Sequence, residues 1–207
     1  MSIKKDVFKS TGDYLKEVLQ NYDAVANPNG ILDPALNLKG LQWFDKQMGQ
    51  FSNPQLALAI PLPCILMEYQ TFQWTTIGKN HQKGNGSIKF YVYFENYADA
   101  FTGSVNQELA LQFFLFTEQV NMALQGFTLP GMSPLQRITD NEDSAEDMII
   151  TSVVEYGTIL VDKSAREARK YVMVEPDILV EKVDSTTRPV KPTFKDGYVI
   201  PTKKPLI

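Results

Sequence analysis

Pro61-Leu-Pro-Cys-Ile-Leu-Met-Glu-Tyr69 opens the stretch that decides the fold, and residues 71–127 complete it. The nine residues form a short apolar run behind a proline pair, which reads as a strand. Residues 71–78 carry Phe72, Trp74, Thr75, Thr76 and Ile77, types that suit a pleated surface. Residues 79–86 are polar and hold Gly84 and Gly86, the pattern of a hairpin tip. Residues 87–96 then alternate. Ile88, Phe90, Val92 and Phe94 take one side, and Lys89, Tyr91, Tyr93 and Glu95 the other. A long amphipathic helix is predicted over residues 104–125. Ser104-Val-Asn-Gln107 fits a capping box, and Gly126 suits the position just past a helix end. Leu109, Phe113, Phe116, Val120, Ala123 and Leu124 give a buried stripe. Leu111, Phe114, Leu115 and Met122 widen it, so this helix is expected to touch more than one layer.

Outward from this unit, residues 3–22 read as an N-terminal helix with Phe8, Leu15, Val18, Leu19 and Tyr22 on one face. Residues 23–39 are broken by Pro28, Gly30 and Pro34, a long connection that should wrap a surface or contact a neighbour. Leu41, Phe44 and Met48 have helical spacing, which predicts a short helix over 41–49. Residues 133–139 read as a strand, 140–147 as an acidic loop and 148–161 as a long strand with a bulge or bend at Gly157. Composition shifts after Tyr171. Residues 178–180 form a plausible short strand. Residues 185–207 are spaced by Pro189, Pro192, Pro201 and Pro205, a density that excludes helix and favours an extended arm. The expectation is an α+β fold: a mainly antiparallel mixed sheet packed by one long helix and an N-terminal helix. The domain would span residues 1–171, and an extended C-terminal arm residues 172–207.

Composition narrows the function classes. The 207 residues carry a net charge of −4, so a strongly basic nucleic-acid footprint is absent overall. Cys64 is the single cysteine, which rules out an intramolecular disulfide and fits assembly in a reducing cytoplasm. No apolar run reaches the ~18 residues needed to span a bilayer, and no secretory signal is expected behind Met1.

The chemistry-bearing residues stay scattered. Asp140, Glu142, Asp143, Glu146 and Asp147 could ligate a cation, yet they lack the glycine and the order of a calcium loop, and a solvated loop is the simpler reading. His81 is the only histidine and has no indicated partner for general-base work. Cys64 reads as a buried thiol. One cysteine and one histidine cannot build a Cys/His metal site. Lys163, Arg166, Arg169 and Lys170 are interrupted by Glu167 and read as a solvated face or a subunit contact. No catalytic, cofactor or metal residue is assigned. The candidates are interface residues: Tyr91 and Tyr93 on the outward side of their strand, which either lie under a second layer or meet another protein. In the arm, Val190, Phe194, Tyr198 and Ile200 are apolar anchors.

The order of elements carries a resemblance. An N-terminal helix and a wandering connection precede a strand that opens on the proline pair and closes at Glu68. A hairpin, a long helix ending at Gly126, and two strands around an acidic stretch follow, the last closing as Val154-Glu-Tyr-Gly-Thr-Ile-Leu-Val-Asp162. Over residues 3–165 this resembles the tail-terminator and neck-completion proteins of tailed bacteriophages. The resemblance implies a small mixed sheet packed by one or two helices. It also implies a structural virion protein whose copies close into a homo-oligomeric ring at the head–tail junction, six-fold or of another copy number. Its partners would be portal, neck or tail proteins, with genomic DNA passing through the lumen without specific binding. It implies no enzyme, no cofactor and no membrane, and a place in the virion neck or tail after assembly in the host cytoplasm. The insertion at 23–52 and the arm after Tyr171 depart from the pattern. Two other classes stay open: a metal-dependent hydrolase using the carboxylates of 140–147, and a monomeric cytosolic adaptor.

Overall fold

A computed structural model gives the architecture. It describes residues 2–57, 59–78, 81–95, 107–143, 149–164, 194–195 and 198–199. The chain divides into two compact units, Met1–Val172 and Met173–Ile207. The first is α+β. Its six-stranded sheet has the order β1-β2-β4-β6-β5, and β3 also pairs with β4. The strands are β1 Trp43–Lys46, β2 Cys64–Tyr69, β3 Gln73–Gly78, β4 His81–Glu95, β5 Gln136–Asp143 and β6 Ile149–Asp162. All neighbours are antiparallel except β1 and β2, which run parallel. Helices α1 (Ile3–Val18) and α3 (Gln107–Leu124) belong to one core with one face of this sheet, and α2 (Pro54–Ala57) is a single turn.

The alternation in β4 sets that core. Ile88, Phe90, Val92 and Phe94 are all buried, beside Ile65 and Met67 of β2 and Val154 and Tyr156 of β6. Onto them α3 sets Phe113, Phe116, Val120 and Leu124, and α1 sets Val7, Leu15 and Val18. Phe94 meets Phe116 at 5.7 Å between ring centroids. The connection after α1 wraps its own domain: Leu32, Leu38 and Leu41 are buried in the same core. The amide of Ile31 donates to the carbonyl of Val18, and that of Leu41 to the carbonyl of Leu19. Tyr22, expected on the buried face, lies beyond the end of α1 and is exposed. Gly126 has φ +80°, the left-handed conformation that ends α3. The capping box expected at Ser104 lies outside the described residues.

Four expectations need correction. Residues 43–46 form strand β1, not a helix; a spacing of three and four over so short a run fits either structure. Gly84 and Gly86 lie within β4, not at a hairpin tip, because the far half of β6 supplies a pairing partner as far as Gln82. A Cβ on Gly84 would sit 2.9 Å from the Trp74 ring, and one on Gly86 2.7 Å from Phe72. Each glycine is thus roofed by an aromatic ring from the Thr71–Gly78 side, a known way of supporting glycine in a sheet.

The third correction moves β5. It starts at Gln136 rather than residue 133, since Pro134 has no amide to give a ladder and Leu135 bonds back to Phe127. Asp140, Glu142 and Asp143 therefore belong to a strand paired with β6, not to a loop. Charge at such positions suits the edge of a sheet. Glu146 and Asp147 lie outside the described residues. Fourth, the irregularity expected at Gly157 falls on the opposite strand, between Arg137 and Thr139, where Ile138 leans over Gly157.

In the second unit, β7 (Phe194–Lys195) and β8 (Tyr198–Val199) pair antiparallel. The chain doubles back there instead of running extended throughout. The strand expected at 178–180 lies outside the described residues, as do Val190 and Ile200.

Candidate interaction surfaces

The sheet face turned away from α1 and α3 is only partly covered. At one end Cys64, Leu66 and Tyr93 form a small second core with Phe51, Ile60 and Leu62. Tyr93 is 6% exposed; Phe51 stacks on it at 3.8 Å and Gln47 Nε2 donates to its hydroxyl at 3.2 Å. Tyr93 is therefore not a surface residue of this chain, which corrects its place among the interface candidates. The cover comes from residues 47–62, a segment whose contribution cannot be seen before the register of β1 is known.

Tyr91 is different. It is half-buried, and its hydroxyl donates to Glu68 Oε2 at 2.7 Å. Along the same face Ser87 donates to Glu155, and Lys89 Nζ stands 3.8 Å from the same carboxylate. Cross-strand pairing places these groups in one row: Glu68 opposite Lys89, and Lys89 opposite Glu155. The result is a half-buried polar row with Lys89 at its centre and the Tyr91 ring beside it, able to accept hydrogen bonds and a flat partner surface.

Strand β3 is exposed at all six positions, with Trp74 and Ile77 among the exposed large apolar side chains. A third surface lies along α3. Phe114, Thr117, Glu118, Asn121, Met122 and Gln125 fall at i, i+3, i+4, i+7, i+8 and i+11, one continuous helical stripe. They face Arg137, Asp140 and Asn141 of β5 across an open groove of about 1130 Å³. Phe114 is 49% and Met122 63% exposed, so among the described residues no second layer covers these two, contrary to the expectation from the widened apolar pattern, whereas Leu115 of the same set packs against the core. Asn121 accepts from the Tyr156 hydroxyl at 2.5 Å, which pins the helix to β6. The Thr117 hydroxyl is buried with no hydrogen-bond partner among the described residues.

The same burial shifts several ionisable groups. Burial pushes the Cys64 thiol up to about 12. Tyr91 is also pushed up to about 12, first by burial and then by its hydrogen bond to the Glu68 carboxylate. Burial raises Tyr69 and Tyr156 as well. Each raised group favours folding fully below its ordinary pKa, 9.0 for the thiol and 10.0 for the phenols. Above it the unfolded chain releases protons that the folded chain still holds, so stability falls as pH climbs toward about 12. The melting midpoint should be nearly level from about pH 7 to 9 and should drop beyond, with a shallower drop in Tyr156→Phe. A midpoint level through about pH 11 would contradict the buried placement.

Among the described residues, no three His, Cys, Asp or Glu groups converge where a metal ion could be held, and no helix is long and apolar enough to cross a membrane. His81 begins β4 opposite Gly78, and Lys163 follows β6 in an exposed position; Arg166, Arg169 and Lys170 lie outside the described residues. Compared with known proteins, the chain matches no protein-family model and no curated relative.

Proposed function

We propose that this protein is a structural component of a tailed-bacteriophage particle, closing into a ring at the head–tail junction and acting through subunit and partner interfaces. The observation that supports the reading is the arrangement of the first unit, a mixed sheet packed by α1 and α3 on one face, which resembles the arrangement expected of tail-terminator and neck-completion proteins. Such a sheet has surfaces to spare. The polar row around Tyr91, the exposed β3 edge and the groove beside α3 lie on different parts of the domain. A ring needs two unlike surfaces on each copy, repeated head to tail until the circle closes. Portal, neck or tail proteins would meet the rims of such a ring, and DNA would pass through its lumen.

Sedimentation of the purified chain over a rising concentration series tests the reading. A closed oligomer of defined mass is expected. A chain that stays monomeric throughout, and equally so beside its neck or tail partners, favours the cytosolic adaptor instead.

A further inference from the structure

We propose that the groove between α3 and β5 is the docking site for the basic C-terminal segment, residues 185–207, of a neighbouring copy. The inference rests on the ring reading and names the surface that would join one subunit to the next.

Three observations converge on it. The first is the stripe on α3. Phe114, Met122 and their helical neighbours make a face as continuous as the one turned to the sheet, yet this one faces an open groove. From Phe114 to Gln125 it runs about 16 Å at 1.5 Å per residue. About five residues of extended chain cover that length at 3.3 Å each.

The second is the strand opposite. Among the described residues β5 pairs with β6 alone; the Arg137 amide at its start donates to Gln125 Oε1 at 3.2 Å, and the edge beyond it presents backbone groups to which a strand could be added. That strand brings charge to the groove: Asp140, beside Arg137, which pairs with it at 3.3 Å. Glu118 adds another carboxylate from the α3 side. An apolar strand would meet those charges unpaired, whereas a basic one would neutralise them.

The third is the occupant. Residues 185–207 contain Arg188, Lys191, Lys195, Lys203 and Lys204 against the single acid Asp196. Between the cations stand Val190, Phe194, Tyr198 and Leu206, apolar anchors of the kind that Phe114 and Met122 could receive. The segment thus interleaves cations and anchors, opposite a groove that offers two carboxylates, Glu118 and Asp140, and two apolar side chains, Phe114 and Met122. A groove of about 1130 Å³ exceeds the usual small-molecule pocket and suits a chain segment.

A charge swap in the full chain tests it. One variant reverses the groove (Glu118→Lys with Asp140→Lys), and a second reverses the segment (Lys191→Glu, Lys195→Glu, Lys203→Glu and Lys204→Glu). Each alone should self-associate at least about tenfold more weakly than the unaltered chain, the scale of a lost interfacial charge contact. Mixed in equal amounts, the two should recover most of the association, because the acidic segment of one now meets the basic groove of the other. The neutral variant Glu118→Gln with Asp140→Asn keeps the shape and should weaken association less than the reversal does. Recovery on mixing also shows that both variants are folded. If the unaltered chain assembles and the groove reversal assembles as well as it does, the docking site is wrong and the ring reading stands. Loss in both variants without recovery on mixing also overturns the docking site. An unaltered chain that never assembles overturns the ring reading and the docking site with it.

Discussion

Replacing Phe116 by alanine should lower folding stability by about 3–5 kcal/mol, the cost of removing a fully buried phenylalanine from a packed core. Phe116 has no exposed surface and sits against Phe94, in the one cluster that joins α1, α3 and the sheet. Truncation removes the burial of the ring and leaves a cavity that β4 and β6 cannot close, because their positions are fixed by fourteen residue pairs. Phe114→Ala, two residues away on the same helix, should change stability by under about 0.5 kcal/mol, since its side chain already stands half in water. Denaturant unfolding of both variants measures the contrast. Equal losses at the two positions would mean that α3 is rotated from the orientation described, and the groove beside it would disappear.

The second large effect concerns assembly. Deleting residues 185–207 should leave the melting midpoint of the first unit close to that of the full chain while abolishing or strongly weakening ring formation. The first unit has its own continuous core, which among the described residues runs from Val7 to Leu160. The deleted segment is rich in proline and cations, with apolar anchors spaced between them. Such a segment gains little by ordering alone and most when its anchors leave water against a partner. Paired melting and sedimentation runs on the truncated chain read both quantities. A large fall in the midpoint with assembly intact would make the segment part of the core fold and remove its role as a connector.

Much of the sheet could be read from the residues because its signals are local. The alternation Ile88, Phe90, Val92, Phe94 holds one strand to one face, and Gly126 ends α3 by a backbone preference that needs no neighbour. The misread elements depend on partners distant in sequence. Gly84 and Gly86 look like a turn until Trp74 and Phe72 are seen covering them across the hairpin. Residues 43–46 become a strand only because β2 lies alongside, and no local pattern announces a parallel edge. Tyr93 alternates correctly onto the second face, but its cover, Phe51, comes from a segment 42 residues earlier. The groove was half visible: Phe114 and Met122 stood out as surplus apolar positions on α3. That they line an open groove, and not a second layer, follows from where β5 lies and from the charges it carries.

Electron microscopy of the purified full chain is the most direct test of the central claim, that this domain works by closing into a ring. Negatively stained fields at concentrations where sedimentation shows assembly should contain closed annular particles of uniform diameter with a central lumen. Fields showing only discrete single domains, or open filaments of no fixed length, would contradict the account.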